Sequence, residues 1–102
     1  MANTFTNSLV KDVGVTPIAS YVAPASATSI MIGVNLSNTT ASQIKVDVQL
    51  ESIYLIKGVP IPANSALSPL DGKIVMKAGQ ELKVTSDTAS SSDVVVSILE
   101  IT

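Results

Sequence analysis

Apolar and polar residues alternate at period two along most of the chain, and Gly, Pro, Asn and Ser break the alternation at short intervals. Such a pattern sends successive side chains to opposite faces of an extended backbone, and no window holds a helical period for the roughly ten residues a helix needs. The clearest strand is expected over residues 28–36, with Ile30, Ile32, Val34 and Leu36 on one face. After a polar turn at 37–42, Ile44, Val46, Val48 and Leu50 repeat the alternation while Lys45, Asp47 and Gln49 point outward. The two strands read as an antiparallel hairpin with one wet face. In the last strand, over residues 93–101, Val94, Val96 and Ile98 share one face and Val95, Leu99 and Ile101 the other. A strand apolar on both faces is expected to be buried on both, between layers or beneath another subunit.

The remaining elements are shorter. Pro17 bends a first strand over residues 13–21 or confines it to an edge. Residues 53–56 form a short strand, and the segment 57–64, with Pro60 and Pro62, reads as an extended connection or an edge crossing. Turns at Asp71-Gly72 and Ala78-Gly79 flank a strand over 74–76 and lead into another over 81–85, and a serine-rich loop over 86–92 precedes the last strand. Residues 1–12 are polar with isolated Phe5, Leu9 and Val10, and read as an N-terminal arm that orders against a partner, leaving residues 13–102 as a single domain. Seven to eight short strands with closely spaced turns predict an all-β fold: a compact antiparallel β-sandwich, jelly-roll or Ig-like, with a small β-barrel as the alternative.

Composition adds a direction to this fold. Charged residues make up 14% of the 102-residue chain and hydrophobic ones 46%, against about 25% charged in ordinary soluble domains. A surface so short of charge favours self-association. The net charge is −2, all six basic residues are lysines spread along the chain, and Phe5, Tyr21 and Tyr54 are the only aromatics. Nucleic-acid binding needs clustered cations and stacking platforms, so none is expected. No apolar run approaches the roughly 20 residues of a membrane span. The start Met1-Ala2-Asn3-Thr4 lacks the basic and apolar regions of a signal peptide, so synthesis and use from the cytosol, away from any membrane, are expected.

Candidate chemistry is sparse. His and Cys are absent, which removes the usual general base, the thiol nucleophile and the commonest zinc ligands. Asp47 and Glu51 share a strand face about 13 Å apart, too far for a paired-carboxylate mechanism. Asp87 and Asp93 flank the serine-rich loop and are the best pair for a hard cation, but a solvated loop is the better reading. No serine lies in a nucleophile elbow, and Lys57-Gly58 lacks the glycine run of a phosphate-binding loop. The expectation is a non-enzyme with no cofactor and no bound metal.

Three stretches carry a resemblance. They are Leu55-Ile56-Lys57-Gly58-Val59-Pro60-Ile61-Pro62-Ala63-Asn64-Ser65-Ala66-Leu67, Lys73-Ile74-Val75-Met76-Lys77-Ala78-Gly79-Gln80-Glu81-Leu82-Lys83-Val84, and Asp93-Val94-Val95-Val96-Ser97-Ile98-Leu99-Glu100-Ile101. Together they resemble small virion structural proteins of tailed bacteriophages, cyanophage forms among them. Met76 stands where Leu is usual and Gln80 where an acidic residue is frequent. The resemblance implies a location in the virion and a role as capsid decoration or cement protein, with neck, tail or fibre-associated modules as the alternative. It also implies self-assembly as a homotrimer and contact with the major capsid protein or other virion proteins, held by apolar surfaces and extended arms. Phe5, Leu9, Val10, Val95, Leu99 and Ile101 are the candidate interface residues.

Overall fold

A computed structural model describes residues 3–70 and 72–102, so Met1, Ala2 and the Asp71 of the expected Asp71-Gly72 turn lie outside the described residues. Alternation becomes nine strands: β1 (Asn3–Val13), β2 (Ile18–Val22), β3 (Thr28–Asn38), β4 (Ile44–Leu50), β5 (Ile53–Ile61), β6 (Ala66–Leu67), β7 (Ile74–Met76), β8 (Glu81–Ser86) and β9 (Ser92–Ile101). Among the described residues they form two antiparallel sheets and no closed barrel. The first has the order β1-β9-β3-β6, with β7 pairing further along the same edge of β3, and the second has the order β2-β8-β4-β5. Counting β6 and β7 as one interrupted strand position, this is the jelly-roll order, in which the chain keeps crossing between sheets. The fold is thus an all-β sandwich of the expected class.

The core lies between the sheets. Met31, Val34 and Leu36 on β3 and Val94, Val96 and Ile98 on β9 meet Ile44, Val46 and Val48 on β4 and Leu82 and Val84 on β8, all buried. Each such side chain contributes about 1.5–3 kcal/mol by leaving water. Val13, Ile61 and Met76 close the same cluster.

The strand expected over residues 13–21 begins only at Ile18, because residues 14–17 carry the chain from β1 in one sheet to β2 in the other. Four further local expectations change. First, β3 and β4 do not pair as a hairpin but lie in opposite sheets. The reason is the buried Asn38, whose Nδ2 donates to the carbonyls of Ser42 at 2.7 Å and Ile61 at 3.0 Å. Its Oδ1 accepts from the Thr40 N–H at 2.9 Å and the Thr40 hydroxyl at 2.7 Å. With its polar groups paired inside the corner, the chain can arch across the sandwich instead of folding back in one sheet.

Second, Ile30, Ile32, Val34 and Leu36 do not share a face. A bulge between Met31 and Gly33 shifts the register against β9, so that Met31 opposes Ile98 and Gly33 opposes Ser97. One extra residue reverses the parity: Met31, Val34 and Leu36 point inward, Ile30 and Ile32 outward. Third, β5 runs on through Gly58, Val59 and Pro60 rather than ending at Ile56. It lies at a sheet edge, where a residue lacking an N–H is tolerated, and two register shifts against β4 absorb the irregularity. Fourth, residues 3–13 are not a free arm but a strand in register with β9 from Asn3↔Ile101 to Val10↔Val94. Ladder hydrogen bonds to β9 make up for the few apolar contacts that β1 offers.

Candidate functional site

The two outer faces of the sandwich differ in chemistry. On the second sheet, Lys45 and Asp47 of β4 and Lys83 of β8 face outward, with Asp47 opposite Thr85 and Gln49 opposite Lys83. That face is solvated. On the first sheet, opposed residues of antiparallel strands share a face, so the register fixes the outward rows. The richest is Phe5–Leu99–Ile30–Val75, four apolar side chains running across β1, β9, β3 and β7. Leu9–Val95–Asn35 forms a second row, and Asn7–Ser97–Gly33 lies between the two. Asn3–Ile101–Thr28 closes one end, and no residue in these rows carries a charge. Phe5 is 73% exposed, Leu9 70% and Val75 56%, values that a solvated monomer usually avoids in one contiguous patch. Ile32, at the bulge, adds to it.

Five of the six candidate interface residues, Phe5, Leu9, Val95, Leu99 and Ile101, therefore stand on this one face. Val10 does not: it points inward and packs, half-buried, against the core. Ile30, Ile32 and Val75 belong to the face and were hidden from the alternation pattern, the first two by the bulge. Gly33, alone inside an otherwise regular strand, is the sequence signal that marks such a bulge.

The remaining polar groups serve the fold. Asp87 Oδ1 accepts the N–H of Lys45 at 3.1 Å, and Asp93 Oδ1 accepts the N–H of Asp12 at 3.0 Å. Each carboxylate of the candidate cation pair thus caps a different backbone group. Asp47 Oδ1 accepts the N–H of Gly58 at 2.7 Å, holding the irregular stretch of β5 where Gly58 has a φ of 62°. Among the described residues, no group of three or more His, Cys, Asp or Glu is placed to hold a metal ion, and no pocket opens on the surface.

One cluster ties the sheets together at the far end of the core. The Tyr21 hydroxyl, from β2, donates to Glu100 Oε2 on β9 at 2.6 Å and lies 2.8 Å from the Ser29 hydroxyl on β3. Burial raises the Tyr21 pKa above the usual tyrosine value, and the hydrogen bond to the Glu100 carboxylate raises it further. The phenol stays protonated and acts as a donor strut between the layers.

No family model matches the chain, and no curated protein matches it in sequence.

Proposed function

We propose that the chain is a structural subunit of a tailed-phage virion, a capsid decoration or cement protein that reinforces the contacts between neighbouring major capsid subunits. The observation that carries this reading is the charge-poor outer face of the first sheet, with its Phe5–Leu99–Ile30–Val75 row and with Asp93 at one end. The resemblance in the second half of the chain supplies the setting. At about 3.3 Å per residue and 4.8 Å between strands, three strands of some eleven residues and the short β6 and β7 pieces present about 600 Å², somewhat below the roughly 800 Å² per partner of a standard protein interface.

The energetics favour many copies over one. If somewhat over half of that face is apolar, as in interfaces generally, about 350 Å² leaves water and contributes about 9 kcal/mol. Association costs about 4–15 kcal/mol, so one face alone holds weakly and a shell is reinforced only when docked copies support one another.

Counting copies tests the proposal. Quantitative mass spectrometry of purified particles should find the chain at hundreds of copies, on the scale of the shell itself. A few to a few dozen copies would assign it to the neck, tail or fibre instead, and its absence from the particle would end the virion reading.

A further inference from the structure

We infer that the free edge of β1 is a seam between copies, at which β1 pairs antiparallel with β1 of a second copy and continues the first sheet into the next domain.

The sandwich has four strand edges, and three are unsuited to accept a strand. β5 carries Lys57, the left-handed Gly58, Pro60 and two register shifts. β2 is five residues long with a bulge between Ala19 and Tyr21. The β6/β7 edge consists of pieces of two and three residues separated by a stretch containing Pro69. Charges, prolines, bulges and shortness are the means by which sheet edges avoid pairing. From Asn3 to Val10, β1 has none of them: its register against β9 is unbroken, and it contains no Pro, Gly or charged residue. Among the described residues, no strand pairs with its outer side.

Elimination also identifies the occupant. A second copy has only its own β1 to offer, so the contact is isologous, with each strand meeting itself. A two-fold axis normal to the sheet makes the pair antiparallel and keeps both outer faces on the same side. With Asn7 opposite the second copy's Asn7, Phe5 meets the second copy's Leu9 and Leu9 meets its Phe5. Thr6 then faces the second copy's Ser8 on the other side, a favourable hydroxyl pair. No charge repels its mate, because the first charged residue, Lys11, falls opposite the second copy's uncharged Asn3 at the end of the paired run. The two charge-poor faces merge into one, twice as wide. A two-fold pair also differs from the homotrimer that the family resemblance implies.

Sedimentation of the full chain and of three single variants tests the seam. The unaltered chain should sediment at twice its 10.5 kDa mass. Asn7→Lys, at an exposed position, should halve that mass while leaving the circular dichroism of the fold unchanged. Because the chain has no cysteine, Asn7→Cys should give a disulfide-linked dimer under mild oxidation, and Lys45→Cys on the opposite face should not. A monomeric or three-chain mass for the unaltered protein, a dimer indifferent to Asn7→Lys, or cross-linking by Lys45→Cys alone would overturn the inference. The virion proposal stands or falls separately: a chain dimeric through β1 yet missing from particles defeats that proposal only, and an abundant virion component that is monomeric in solution defeats the seam only.

Discussion

At the scale of single residues, Asn38 does most to decide the topology. Its side chain gathers the neighbouring Thr40 and Ser42 backbone groups and the distant Ile61 carbonyl into one corner. Replacing it with a leucine leaves several buried polar groups without partners, each costing about 1–3 kcal/mol. Asn38→Leu should therefore lower the unfolding free energy by at least about 2 kcal/mol, read from the urea midpoint. An unchanged midpoint would mean that water serves the corner equally well. Nothing local in Ser37-Asn38-Thr39-Thr40 separates such a corner from a hairpin turn, since the carbonyl that distinguishes them arrives from Ile61. The inward set of β9 was legible because that strand holds strict period-two alternation, so Val94, Val96 and Ile98 fall inside and Val95, Leu99 and Ile101 outside.

At the scale of elements, the β3 bulge has the widest consequences. It takes Ile30 and Ile32 out of the core and adds them to the outer face, a change no count of apolar residues detects. Met31 is fully buried and Ile32 is 40% exposed. Met31→Ala should cost about 2–5 kcal/mol, whereas Ile32→Thr should stay within about 0.5 kcal/mol, as surface changes do. Thermal or urea unfolding of the two variants checks this, and comparable losses would place the bulge elsewhere. β1 illustrates the opposite difficulty. Its Thr4 and Thr6 are exposed although they lie on the inward side, which is why the segment resembles an arm in sequence. Only its ladder to β9, a long-range partner, makes it a strand.

At the scale of the whole molecule, alternation and turn spacing were enough for the fold class, because both are local properties of the chain. The assignment of strands to sheets was not legible: period two says which side chains share a face and is silent about which strand lies alongside. The contrast between an outer face with charges along β4 and β8 and a charge-poor one on β1, β9 and β3, where Asp93 lies at one end, emerges only once that pairing is known. Low overall charge pointed to association, and the topology concentrates the shortage on one side. On the proposed reading, this side does the docking. The most direct test of that claim is the binding of the full chain to particles stripped of it, comparing Val95→Asp in the middle of the charge-poor face with Lys45→Asp on the opposite one. Binding at least tenfold weaker for Val95→Asp and unchanged for Lys45→Asp is the predicted result. Equal binding by both variants would contradict it.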